Sequence, residues 1–227
     1  HSTSSAASDV YKRQLNNNPL FATYVGDKRS NNIINSNSIE QFLIEKDSSI
    51  ESLNNLKKIN FSKLNDENKL NYQLYEFGIN REIDLRNFPT YFLRINQRGG
   101  IQSFYETGNR LVYSSIQDYY DWLSRLNIFS ENIDNFIKIN KEGLSKGITQ
   151  PKMITESVIV QIDAIIESEI DKNPYMKVFI EADSNLISNA EKDELVIKAK
   201  EVVNNKIIPA YINLSLIHIS EPTRRYR

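Results

Sequence analysis

The sequence predicts an all-α fold, a multi-helix, bundle-like array, and three observations predict it. Apolar residues recur at three- and four-residue spacing along most of the chain. Helix-opening signals stand ahead of those runs, and no Asn-Gly or Asp-Gly hairpin signal interrupts them. The abundant isoleucine is therefore assigned to helix faces rather than to strands.

Asn18-Pro19 opens the first helix, because Asn can cap it and Pro already holds the first helical φ. Ser38 with Gln41 reads as a capping box ahead of Phe42, Leu43, Ile50 and Leu53. Leu70, Leu74 and Phe77 repeat at helical spacing. Tyr119, Trp122, Leu123 and Leu126 do the same behind Ser114 and Gln117. A separate helix is expected after Ser130, with Ile133, Phe136, Ile137 and Leu144 inward and Gly143 and Gly147 at left-handed C-terminal positions. Thr149-Gln150-Pro151 restarts the chain into a helix striped by Ile154, Val158, Ile162, Ile165 and Ile166, and Asn173-Pro174 is expected to end it. Ser188 and Glu191 form a capping box for the last one, with Leu195, Ala199, Val202 and Val203 inward.

Composition divides the chain in three. Residues 1–14 and 214–227 are rich in Ser, Ala and Arg, resemble translated adapter sequence, and are expected to be foreign, disordered tails. Residues 15–213 are crowded with Asn, Ile, Lys and Asp. The whole chain has 28 Lys+Arg against 29 Asp+Glu, and setting aside Lys12, Arg13, Arg224, Arg225, Arg227, Asp9 and Glu221 leaves 23 against 27. A mildly acidic body argues against nucleic acid as a partner, which needs a basic stripe. No apolar run reaches the length of a transmembrane segment.

Candidate chemistry is sparse. There is no cysteine, and both histidines, His1 and His218, lie in the end segments, so no catalytic, cofactor-binding or metal-ligating residue is assigned. Residues 88–113 mix Pro89, Gly99, Gly100 and Gly108 with aromatic rings and show no sustained period. Tyr91, Gly99, Gly100, Phe104 and Tyr105 either line a substrate groove there or pack on the helices. Asp163, Glu167 and Asp171 recur every four residues, as an acid pair would want or as a solvated face would show. Asp118, Asp121 and Arg125 read as a helix-surface ion-pair set, with Asp118 near a helix start. Gly26-Asp27 either approaches a ligand or ends a helix with Gly26 left-handed. Trp122 is either core or a helix–helix anchor.

Five blocks stand in order: Phe21-Ala22-Thr23-Tyr24-Val25-Gly26-Asp27-Lys28-Arg29, Ile95-Asn96-Gln97-Arg98-Gly99-Gly100, Asp118-Tyr119-Tyr120-Asp121-Trp122-Leu123-Ser124-Arg125-Leu126, Gly143 through Lys152, and Ile208-Pro209-Ala210-Tyr211. Together they resemble the amino-terminal half of the bacterial "domain of unknown function 885" proteins. The resemblance implies a partial domain of a larger helical fold similar to zinc-dependent peptidases, periplasmic or lipoprotein-anchored, acting on peptides or peptide-like amides. It places the zinc motif, a His-Glu pair followed by Gly-His, in a carboxy-terminal half, the partner of these residues. On this reading the chain is a helical wall of the cleft with no cofactor and no activity of its own; the alternative is a noncatalytic binding or surface lipoprotein module. Apolar exposure is then expected around Val202, Val203, Ile207 and Ile208 and along Tyr91 to Tyr105.

Overall fold

The computed structural model describes residue 12 and residues 15–220, without the side chains of residue 89 and residues 216–220; the remaining positions of both end segments, His1 among them, lie outside the described residues. The described residues form helices and turns, with no strand among them. The helices are α1 Pro19–Tyr24, α2 Ile39–Lys57, α3 Asp66–Asn87, α4 Tyr105–Arg110, α5 Ile116–Ser145, α6 Lys152–Ile166, α7 Lys177–Ile180, α8 Asn189–Val202 and α9 Ile208–Ser220. They fall into two compact units, one drawn from the described residues up to 36, residues 95–137 and those from 150 on, the other from residues 37–94 and 138–149.

The caps anticipated at Asn18, Ser38 and Ser188 are in place, with Gln41 Nε2 donating to Glu45 Oε1. Asn18 accepts from Phe21 N, Ser38 accepts from Gln41 N, and Ser188 and Glu191 exchange hydrogen bonds reciprocally. Each satisfies an N–H that the first helical turn leaves without a partner.

The core of the first unit is built by α5, α6 and α8–α9. Trp122, Leu126, Phe129 and Ile133 from α5 meet Val158, Ile162 and Ile165 from α6. Leu195, Ala199, Val203, Ile207, Tyr211 and Leu214 complete it, almost all at four-residue spacing. A regular α-helix would carry a strict four-residue stripe steadily around its axis. The Val203–Ile207 segment is a π-helix, a wider turn that takes up the extra residue and keeps the stripe facing the core. It also precedes Pro209, which has no N–H to donate.

Several expectations are corrected. The helix expected after Ser130 is the continuation of α5, because the Ser130 hydroxyl donates to Asn127 O inside an unbroken helix. Gly143 is helical, and only Gly147 is left-handed, at φ 72°. A Cβ at Gly143 would lie 3.0 Å from Ile148 O and from Phe92 Cβ, which is why a glycine suits that buried turn. Helix α6 ends at Ile166, well before Asn173-Pro174, since Asn173 Nδ2 turns back to donate to Ile165 O. The composition break at 214 does not coincide with a helix end: α9 runs to Ser220, and Leu214 and Ser215 are buried.

The exposed apolar surface also lies elsewhere than expected. Val203 and Ile207 are fully buried, Val202 and Ile208 pack partly against the core, and Phe92 and Ile95 are buried. In the second unit α2 packs on α3, and Leu70, Leu74 and Phe77, which repeat at helical spacing, all face solvent.

Candidate functional site

The densest polar constellation in the first unit joins residues 19–33 to α5. Helix α1 ends at Gly26, which is left-handed at φ 87°. Gly26 N donates to Thr23 O and Asp27 N to Ala22 O, a paired closure that satisfies the last carbonyls of the helix. Asp27 then accepts from Arg29 N and so caps the Lys28–Ser30 turn. The Gly-Asp pair is thus a helix stop followed by a turn cap.

That turn delivers Lys28 to α5. Lys28 Nζ lies 2.7 Å from Asp118 Oδ1 and Oδ2 and 2.6 Å from Ser114 Oγ. Asp118 also accepts from Ser114 N and Ser115 N, tying down the start of α5 much as a capping box does. Asn31 Nδ2 approaches Asp118 Oδ1 at 3.4 Å, while Asn31 Oδ1 accepts from Thr23 Oγ1 at 2.7 Å.

One turn of Thr23 further, the same hydroxyl accepts from Arg125 Nη2 at 2.6 Å. Arg125 also donates from Nη2 to Pro19 O and Ser30 O and from Nε to Ile33 O. Arg125 is 1% exposed, and its charge is met by carbonyl dipoles rather than by a contacting carboxylate. Burial pushes its pKa down, with Asp121 the leading opposing charge. The surface ion-pair reading of Asp118, Asp121 and Arg125 is therefore corrected: Asp118 and Arg125 are buried, and Asp121 accepts from Gln117.

These groups are occupied by the chain itself. Burial pushes the Asp118 carboxyl up, but the hydrogen bonds from Lys28 and from the backbone and hydroxyl of Ser114 outweigh it and hold it below the usual range. A carboxylate so held is a weak proton acceptor and a strong anchor. Its contribution to stability is present above the unfolded carboxylate pKa of about 4 and is lost as pH falls through the lower folded value. Urea unfolding of wild type and Asp118→Asn across acidic pH checks this: wild-type stability is expected to fall as pH drops below about 4, and the variant's to fall less steeply from a lower plateau.

A second polar pair lies in the core. Tyr211 OH donates to Ile101 O at 2.7 Å and stands 2.7 Å from Tyr175 OH, both rings being fully buried. Burial raises both phenols well above their usual pKa, so they remain neutral hydrogen-bonding clasps between the Ile101 turn, the 175 turn and α9.

The aromatic segment is divided between the units. Tyr91 belongs to the second, where it lies 4.6 Å from the Phe42 ring and 4.1 Å from that of Phe92. Gly99, Gly100, Phe104 and Tyr105 belong to the first. Phe104 stacks on Phe129 at 4.0 Å and on Trp122 at 5.3 Å, and Tyr105 meets Tyr175 edge-on. Trp122 is core. Gly100 N donates to Ser103 Oγ, and a Cβ there would lie 2.8 Å from Gln102 Oε1. Gly99 and Gly100 lie in the turn ahead of Ile101, while Phe104 and Tyr105 stand at the start of α4 and pack against the core.

The acidic triplet is not one helix face. Asp163 accepts from Ser215 Oγ, Glu167 caps the end of α6, and Asp171 sits in a separate turn paired with Lys200 at 2.6 Å. Among the described residues no group of three or more His, Cys, Asp or Glu is placed to hold a metal ion, and no helix is long and apolar enough to cross a membrane. The side chain of His218, in α9, is not described.

The residues that sequence reasoning missed are Thr23, Lys28, Asn31 and Ser114, together with the burial of Asp118 and Arg125. The signal was present in part, because Thr23 and Lys28 lie in the first block singled out and Asp118 and Arg125 in the third. Nothing in either block alone says that the two meet.

Comparison with known proteins follows the same lines. The family described as "Bacterial protein of unknown function (DUF885)" matches residues 19–217. A solved structure described as "the putative lipoprotein from Colwellia psychrerythraea" superposes with a TM-score of 0.71 at 14% identity, covering 88% of this chain and 38% of that one. The chain thus spans well under half the length of that neighbour. No curated protein matches the chain.

Proposed function

The chain belongs to the bacterial DUF885 family, and on that footing we propose that it is a helical framework, one wall of the cleft in a larger zinc-dependent peptidase-like protein, with no chemistry of its own. The observation that carries the reading is the use to which its buried charges are put. Asp118 and Arg125, the most deeply buried ionic groups, spend their hydrogen bonds on residues 19–33 and on the start of α5. Catalytic groups need free lone pairs or protons aimed at a substrate.

Among the described residues no group of three or more His, Cys, Asp or Glu is placed to hold a zinc ion. Zinc hydrolysis takes about three protein ligands and an open position for water, whereas Asp118 and Asp171 are paired with Lys28 and Lys200. In this proposal the zinc ligands and the peptide substrate's reacting bond belong to a carboxy-terminal half of the parent. Gly99, Gly100, Phe104 and Tyr105 of the first unit would contribute groove wall.

The experiment uses the 227-residue chain. Calorimetric titration with zinc and hydrolysis of a fluorogenic peptide library, with and without chelator, are expected to give no stoichiometric tight binding and no chelator-sensitive cleavage. One tightly bound zinc together with chelator-sensitive hydrolysis by this chain would overturn the proposal.

A second reading, a noncatalytic binding module of a surface lipoprotein, is favoured by the description of the Colwellia neighbour. It also agrees with a periplasmic or membrane-anchored location. Reading the gene past the codon for Arg227 separates the two: a His-Glu and Gly-His helix supports the peptidase parent, and an open reading frame without one supports the binding module.

A further inference from the structure

We draw no further inference here: the strongest candidate, the solvent-facing apolar stripe of α3 formed by Leu70, Leu74 and Phe77, carries nothing because nothing in the structure shows what covers it.

Discussion

Replacing Arg125 by alanine is expected to cost about 4 kcal/mol of folding stability, the upper part of the range for breaking a buried charged network. The loss has two sources. The guanidinium's own hydrogen bonds disappear, and the carbonyls of Pro19, Ser30 and Ile33 each lose a donor beside the cavity, Pro19 O keeping Thr23 Oγ1 and Ser30 O keeping Ile33 N. Arg125→Lys is expected to recover little of it, because an ammonium is a point charge and cannot reproduce the planar fork that reaches Ile33 O from Nε and three acceptors from Nη2. Denaturant midpoints at neutral pH check both variants. A loss below about 1 kcal/mol would mean that residues 19–33 are held by something other than this side chain.

Gly108→Ala is expected to destabilise by about 2–3 kcal/mol even though it places a better helix former in α4. Helix propensity alone would favour alanine by about 1 kcal/mol. The opposing effect is steric: a Cβ at residue 108 would stand 2.5 Å from Cζ2 of Trp122. The indole is buried and backed by Phe104, so it has no room to retreat. Gly78→Ala is the control, because a Cβ at that helical position meets nothing and propensity should act unopposed, raising stability by up to about 1 kcal/mol. Opposite signs for two Gly→Ala changes, read by thermal or urea unfolding, are the expected outcome. Equal signs would show that the contact with Trp122 is not rigid.

The parts of the fold that were legible in sequence are those decided by local chemistry. Asn18, Ser38 and the Ser188–Glu191 pair cap helices because a side-chain oxygen three residues ahead of an N–H is a local arrangement, visible in the sequence itself. The α6 stripe was legible for the same reason: Val158, Ile162 and Ile165 repeat at helical spacing and are all buried.

What was not legible depends on residues far apart in the chain. Ser130 looks like a cap, yet inside α5 its hydroxyl bonds back to Asn127 O, and only the packing of Phe129 and Ile133 on either side shows the helix running through. Leu70, Leu74 and Phe77 have the period of an inward face, but α3 carries a second apolar set, and spacing alone cannot say which of the two meets α2. Spacing placed Val202 and Val203 inward, while the resemblance to half of a larger domain put Val202, Val203, Ile207 and Ile208 at the surface; a π turn, which has no sequence signature of its own, turns Val203 and Ile207 into the core. The candidate constellation failed in the same way. Asp118 and Arg125 have the spacing of an exposed ion-pair set, and their burial depends on Lys28, Thr23 and the carbonyls of residues 19–33, about ninety residues earlier.

The central claim is that the buried charges of the first unit pin residues 19–33 to α5 rather than perform chemistry. Native-state hydrogen exchange on wild type and Arg125→Ala tests it most directly. The account predicts that amide protection falls first and furthest across residues 19–33 and the start of α5, ahead of the α6, α8 and α9 core, as a locally released segment would show. Protection at residues 19–33 that stays at the wild-type level, or that falls only in step with the α6, α8 and α9 core, would contradict it.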